Sequence, residues 1–159
     1  MPAHGATASG FDLDRPARTI RFERDFAASP GQIFTAWTEP AHVTEWWDAT
    51  GQPLLSCEID LRVGGQFIYV VRDRPDMPFA GVYREIVPGE RLVFDALGAI
   101  GRVILQGRDH GTHMIVEITC TSAEQLEQFV QMGVHIGTSG TMDNLVRHLD
   151  AVVETAPAD

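Results

Sequence analysis

The spacing of apolar residues changes period three times along the chain. Residues 19–28, TIRFERDFAA, alternate apolar and charged positions with a period of two, which is typical of a half-buried strand. The next two segments, SPGQIFTAW and TEPAHVTEWW, space their apolar residues three and four apart, and each has a proline where a helix would begin. We therefore expect one strand followed by two short helices, with Ser29 as the N-cap of the first.

A long region of period-two alternation follows Gly51. Turn-forming residues divide it, and Gly64-Gly65 suits a two-residue hairpin turn. Strands joined by short turns pair with their neighbours in an antiparallel sheet. The pattern therefore predicts six consecutive antiparallel strands, at 54–63, 64–73, 79–87, 91–97, 101–107 and 113–121.

The helical period returns after the last of these strands. Ser122 is a suitable N-cap for a short helix over 122–132, and a longer helix is predicted over 133–154. The longer helix has an apolar stripe made of Met142, Leu145, Leu149 and Val152. Such a stripe must be buried against another element. The whole pattern predicts an α+β fold in which this helix lies across one curved antiparallel sheet and the two short helices cover an open end.

The domain organisation follows from the same pattern. The chain shows no internal repeat and no linker, so we expect a single domain over residues 19–154. Residues 1–18 are rich in Ala, Gly, Ser and Pro and are expected to form a disordered arm, and residues 155–159 a disordered tail. With 159 residues, 44% of them hydrophobic, the chain is large enough to bury a core of its own.

Charge and cysteine content exclude several classes of partner. Lys and Arg number 12 against 22 Asp and Glu, which gives a net charge of −10. Such a surface repels nucleic acid and anionic membranes, and no apolar run reaches the ~20 residues of a transmembrane helix. Cys57 and Cys120 lie in strand-like segments and are expected to be free thiols, which favours a cytoplasmic location.

Four segments in this order resemble a known group of proteins. They are FAASPGQIFTAWTEPAHVTEWW, DLRVGGQF, GVYREIVPGERLVF and MGVHIGTSGTMDNLVRHL. The chain is similar over residues 18–153 to the START/Bet v 1-like (SRPBCC) superfamily, and within it to the family named for the activator of the heat-shock-protein-90 ATPase. The family name comes from a eukaryotic co-chaperone that has an additional N-terminal domain.

The resemblance implies a helix-grip fold with a cavity between the sheet and the terminal helix. The second short helix and its loop would form a lid, with one of Trp46 and Trp47 towards the cavity and the other under the sheet rim. Asp48 and Gly51 would turn the chain into the following strand. Many relatives have a Gly-Trp pair where this chain has Gly137-Thr138, so we expect a wider cavity here.

The expected ligand is a small apolar or aromatic molecule. Gly133, Gly137 and Gly140 weaken the last helical region, which suggests a kink or a close approach to the backbone and favours a cavity over a filled core. The Tyr69 and Tyr83 hydroxyls would orient the ligand. The predicted ligand-binding residues are aromatic, methionine or histidine: Trp46, Trp47, Phe67, Tyr69, Phe79, Tyr83, Phe94, Met114, Met132, His135 and Met142.

Polar motifs give little support for catalysis. The sequence lacks the motifs of nucleophilic hydrolases, zinc proteases and phosphate-binding loops, so no catalytic residue, metal ligand or cofactor is predicted. Two alternatives stay open. One is a cyclase- or hydrolase-like enzyme that uses His135, or Glu85 if a bulge turns Glu85 inward. The other is a chaperone-associated protein-binding module, and a homodimer is compatible with each interpretation.

Overall fold

The computed structural model describes residues 10–155, the last three of them by their backbone alone. Within this range the chain forms eight strands and four helices. The strands are β1 (Asp12–Asp14), β2 (Thr19–Phe26), β3 (Ser56–Ile59), β4 (Gln66–Val70), β5 (Phe79–Val87), β6 (Arg91–Ala96), β7 (Ala99–Arg108) and β8 (Gly111–Thr119). The helices are α1 (Pro30–Thr38), α2 (Pro40–Trp46), α3 (Ala123–Gln131) and α4 (Val134–Thr155).

All eight strands belong to one antiparallel sheet. Its order is β1-β2-β8-β7-β6-β5-β4-β3, so every neighbour pair is consecutive in sequence except β2 with β8. The helix α4 packs on the face that contains Ile20 and Phe22 of β2, and its Met142, Leu145 and Leu149 are fully buried. The predicted α+β arrangement, with the terminal helix across an antiparallel sheet, is confirmed.

The strand β1 lies in the segment that was predicted to be a disordered arm. Asp12–Asp14 pairs with Thr19–Arg21 along the outer edge of β2. A side-chain bond from Arg15 Nε to Glu127 Oε2, 2.8 Å long, ties this strand to α3. The prediction for residues 12–14 was wrong because a three-residue strand is too short to show a periodicity of its own and forms only where another strand offers an open edge. Residues 1–9 and 156–159 of the predicted arm and tail lie outside the described residues.

The turn between β3 and β4 is longer than predicted. Ile59 pairs with Phe67, so a loop of residues 60–65 replaces the expected two-residue turn. The loop continues towards β5, because Gly64 N–H donates to the Tyr83 carbonyl and Tyr83 N–H donates to that of Gly65. Within the loop, Arg62 Nε binds Asp60 Oδ2 at 2.8 Å, and both side chains are exposed.

The short helices α1 and α2 have the sequence signals of their N-termini. Ser29 Oγ accepts from Gln32 N–H and Gln32 Oε1 accepts from Ser29 N–H, which forms a capping box in front of Pro30. The helix α2 begins at Pro40 directly after the Glu39 cap. Two prolines at the first helical positions therefore set two tandem helices.

The glycines of the last helical region have roles other than those expected. Gly133 has φ +76° and separates α3 from α4, so it marks a break between helices. Gly137 and Gly140 lie inside α4, and a Cβ atom at either position would meet no atom within 4 Å among the described residues. The predicted close approach to the backbone is therefore absent at these two positions.

No helix within residues 10–155 is both long and apolar enough to span a membrane.

The outer face of the sheet is covered by ion pairs between β2 and β8. Arg21 Nη1 binds Glu117 Oε2 at 2.8 Å. The His113 ring lies between two carboxylates, with Nε2 2.7 Å from Glu23 and Nδ1 2.7 Å from Asp25. Burial lowers the pKa of His113, but the hydrogen bonds to Asp25 and Glu23 raise it more, so the net shift is upward.

Candidate functional site

An apolar cavity lies between the sheet, α4 and the ends of the shorter helices. Its volume is about 110 Å³. Residues from all these elements line it: Trp37, Trp47, Phe79, Ala96, Leu97, Ala99, Gly101, Val116, Ile118, Phe129, Val134, Thr138 and Met142. A depression beside the β7–β8 turn is larger, about 570 Å³, but it is open to solvent and lined mainly by polar residues. The apolar cavity, which is the less open of the two, is therefore the candidate site.

Regular spacing on two elements builds two sides of the cavity. Val134, Thr138 and Met142 are four residues apart, which places them on one face of α4. Val116 and Ile118 are two apart on β8 and therefore point to the same face of the sheet. The space between these walls remains open because Ala96 of β6 and Ala99 of β7, which pair across the two strands, both have small side chains.

The two neighbouring tryptophans have different environments. Trp46 is fully buried, its Nε1–H donates to the Ala36 carbonyl at 3.0 Å, and its ring packs edge-on against Trp37. Trp47, half-buried at the C-terminal end of α2, lines the cavity and contacts Tyr69 and Phe79 at centroid distances of 4.9 and 5.0 Å. Adjacent helical positions differ in direction by about 100°. Trp47 thus faces the cavity and Trp46 the core.

Three residues of α4 hold the lid, which we define as α2 with residues 47–51. Thr141 Oγ1 donates to the Trp47 carbonyl at 3.1 Å, and Asn144 Nδ2 donates to the Asp48 carbonyl at 3.0 Å. One turn further on, His148 Nε2 lies 2.9 Å from Nδ1 of His42. The contacts of Thr141 and Asn144 fix the C-terminal end of α2, and with it Trp47, against α4, while the contact of His148 holds the first turn of α2.

The loop of the lid is set by Asp48. Its Oδ1 accepts from the backbone and the hydroxyl of Thr50, each at 2.9 Å, and its carbonyl accepts from Gly51 N–H. Gly51 has φ +85°, a conformation that glycine adopts without strain. The chain therefore turns at Asp48 and Gly51 towards β3, as the sequence predicted.

Five of the predicted aromatic residues form a packed layer behind the cavity wall. Phe67 lies at its centre, with ring centroids of Tyr69, Phe79, Tyr83 and Phe94 all within 5.8 Å. Two of the rings lie over cross-strand glycines, since a Cβ atom added to Gly81 or Gly101 would collide with Phe67 or Phe94. The layer holds Phe79 in place, while Phe67 and Phe94 do not reach the cavity themselves.

The tyrosine hydroxyls lie in this layer and not on the cavity wall, contrary to the prediction that they orient a ligand. Burial raises the pKa of Tyr83 to about 12, and burial followed by the nearby Tyr83 hydroxyl raises that of Tyr69. The neighbouring Cys57 is a free thiol whose pKa burial and then Glu58 raise to about 11. All three groups are therefore neutral at physiological pH.

Three further predicted residues lie away from the cavity. Met114 is in the core between β2 and β7, and Met132 ends α3 with its side chain 72% exposed. His135 is buried, but its ring packs edge-on against Phe11 at 4.9 Å, because α4 turns it away from the face that contains Val134. Met132 could not be placed from the sequence because its exposure depends on how the chain turns at Gly133. His135 could not be placed because its environment depends on the distant residue Phe11.

The second acid–base candidate is also outside the cavity. A bulge between Tyr83 and Glu85 is present in β5, as the inward placement of Glu85 required. The bulge nevertheless leaves Glu85 exposed and paired with Arg91 at 2.7 Å. This hydrogen bond lowers the pKa of Glu85. Both Arg84 and Glu85 face solvent, so Glu85 is not available to a molecule in the cavity.

A helix that lies across an antiparallel sheet, with an apolar cavity between them, defines the START-like class of helix-grip proteins. Within this class the chain belongs to one particular family, because the protein-family model described as "Activator of Hsp90 ATPase homolog 1-like protein" matches residues 27–150. A comparison with curated protein sequences gives no significant match.

Solved structures with the same fold come from several bacteria. A crystal structure of a protein from Nitrosomonas europaea has a TM-score of 0.78 at 22% identity, covering 87% of this chain and 97% of that one. A solution structure of a protein from Arthrobacter aurescens has a TM-score of 0.76 at 22% sequence identity, covering 96% of this chain and 95% of that one. A crystal structure of a protein from Rhodobacter sphaeroides has a TM-score of 0.73 at 23% sequence identity, covering 89% of this chain and 95% of that one. At these identities the similarity establishes the fold alone.

Proposed function

We propose that this protein binds a small molecule with a single aromatic ring in the cavity beneath Trp47. The observation that carries the proposal is an apolar cavity, partly open to solvent, between the sheet and α4. Protein cores contain few voids larger than a water molecule, and an apolar cavity of ~150 Å³ is known to stay dry and to take up benzene. A volume of about 110 Å³ suits one aromatic ring.

The chemistry of the wall supports binding over catalysis. Among the described residues of the wall, no side chain is charged and none titrates near neutral pH. The two acid–base candidates, His135 and Glu85, lie elsewhere. General acid–base catalysis requires a titratable group within hydrogen-bond distance of the substrate. A binding role is therefore favoured over a cyclase or hydrolase.

The test fills the cavity from α4. Thr138→Trp adds an indole to the wall at the position where many relatives have tryptophan, and its control Ile136→Trp adds the same group at an exposed position of the same helix. Fluorobenzene is the probe, observed by ¹⁹F NMR. We expect saturable binding to the wild type and to Ile136→Trp, and none to Thr138→Trp.

Two results would refute the proposal. One is the absence of saturable fluorobenzene binding to the wild type up to the solubility limit of the probe. The other is unchanged binding to a folded Thr138→Trp variant, since the probe would then occupy another site. Circular dichroism checks the fold of each variant, because overpacking a core typically costs about 1–3 kcal/mol.

A further inference from the structure

The turn between β6 and β7 places a leucine at the mouth of the cavity. Ala96 pairs with Ala99, so Leu97 and Gly98 are the two residues of the hairpin loop. Leu97 lines the cavity and is 60% exposed. Every other described residue of the wall is buried or half-buried. The Leu97 side chain therefore lies where the cavity meets solvent.

The backbone of Leu97 is left-handed. Its φ is +54° and that of Gly98 is +78°, as a type I′ hairpin turn requires at both positions. Glycine and asparagine are favoured in such turns, whereas a bulky side chain at positive φ is strained. Among the described residues, Arg18 is the one other non-glycine residue with a positive φ. The chain thus has a leucine where the turn favours asparagine.

Neither the core nor the neighbouring helix explains this leucine. Because Leu97 is 60% exposed, it contributes little buried area to the core. The turn is held against α3 by the Gln125 side chain, whose Nε2 donates to the Leu97 carbonyl at 3.1 Å. That hydrogen bond goes to the backbone and does not require a leucine side chain. Strain that the fold itself does not require is typical of functional positions.

We propose that Leu97 is a ligand-binding residue that covers an apolar substituent where it leaves the cavity. The inference rests on the proposed function and specifies its ligand class, a single aromatic ring with a short alkyl chain. The ring occupies the cavity, and the chain extends to the mouth, where half-buried Ala96 is also apolar. Contact with Leu97 removes methylene groups of the chain from water, which favours binding.

A series of alkylbenzenes tests this contact. Benzene, toluene, ethylbenzene and propylbenzene are used to displace fluorobenzene in the ¹⁹F NMR assay, which gives their dissociation constants. Leu97→Asn removes the apolar side chain and suits the left-handed turn. Leu61→Asn is the matched control, because Leu61 is 43% exposed, is not a described residue of the cavity wall and has no positive φ.

Leu97→Asn should weaken binding and stabilise the fold. The affinity for benzene should change little, while the preference for propylbenzene over benzene should fall about fourfold or more, the effect of returning one methylene group to water. The midpoint of urea denaturation should rise, because asparagine adopts a left-handed backbone more readily than leucine. A lost preference in a more stable variant cannot result from misfolding. Leu61→Asn should change neither the preference nor raise the midpoint.

A direct readout uses the wild type alone. In ¹H–¹³C spectra, the methyl signals of Leu97 should shift more with propylbenzene than with benzene, and those of Leu61 should shift with neither. Three results would overturn the inference and leave the proposed function intact: no preference of the wild type for propylbenzene over benzene, a preference that Leu97→Asn retains, or an equal loss of preference in Leu61→Asn. Failure of all the probes to bind to the wild type would overturn the proposed function as well.

Discussion

Trp46 and Trp47 differ in role because each makes contacts that the other cannot reach. Trp46 fills the space between α1 and α2, and its indole N–H donates a hydrogen bond to the Ala36 carbonyl. Trp47 joins the cavity to the aromatic layer through Tyr69 and Phe79. Trp46 therefore belongs to the core, and Trp47 belongs to the proposed binding site.

A first prediction separates the two residues in the ligand-bound state. With 5-fluorotryptophan in all three positions, the ¹⁹F signals of Trp37 and Trp47 should shift on addition of toluene, because both rings line the cavity. The signal of Trp46 should shift least. The variants Trp37→Phe, Trp46→Phe and Trp47→Phe assign the signals. A dominant shift at Trp46 would contradict the assignment of Trp47 to the cavity.

The sequence predicted part of the cavity wall at the level of single residues. Trp47, Phe79 and Met142 were identified because large apolar side chains are conspicuous. Trp37 and Phe129 were missed because their helical patterns indicated only a buried face. Ala96 and Ala99 were missed for a different reason: they face each other across β6 and β7, and that pairing is not visible in a single segment.

At the level of elements, α4 is held by its apolar stripe. Leu145 is fully buried in the middle of the helix. We expect Leu145→Ala to lower the free energy of unfolding by about 2–5 kcal/mol, because it removes buried methyl groups and leaves a cavity. Urea denaturation measures the loss. The control Ile136→Ala changes an exposed residue of the same helix and should cost less than about 0.5 kcal/mol. Similar losses for both variants would contradict the packing of α4.

The contact between α2 and α4 is expected to weaken in acid. Burial and then the charge on His42 lower the pKa of His148 below its ordinary value of 6.5, and Glu45 opposes this shift. The unfolded chain therefore takes up a proton at a higher pH than the folded protein. The stability contributed by neutral His148 is present above pH 6.5 and is lost as the pH falls through the folded-state pKa.

His113 has the opposite effect on the pH dependence of stability. Its pKa is raised in the folded protein, so its contribution to stability is fully present below pH 6.5 and is lost as the pH rises through the folded-state pKa. We expect acidification through this region to destabilise His113→Gln more than the wild type, and to destabilise His148→Gln less. Urea denaturation above and below pH 6.5 makes the comparison. If the stability of both variants depended on pH in the same way as that of the wild type, neither histidine would have the role described.

At the level of the whole molecule, the order of elements could be predicted well, while their ends could not. The period of the apolar pattern is a local property, and it located β2–β8 together with all four helices. The pairing of β1 with β2 and the six-residue loop after β3 depend on contacts with distant strands. Such contacts have no signal in the segment itself, and the contact between Phe11 and His135 is another of this kind.

The pairing of β2 with β8 affects how the chain folds during its synthesis. Thr19 pairs with Thr119 and Phe26 with Thr112, which are separations of 119 − 19 = 100 and 112 − 26 = 86 residues. At ~5–20 residues per second, roughly 5–20 s pass before the partner of β2 exists. Ile20 and Phe22 remain without their β8 partners, Ile118 and Val116, during this time. We expect nascent chains arrested before Gly111 to be cut by protease within β2, and the released full-length chain to resist; equal resistance of both would show that β2 finds stable packing without β8.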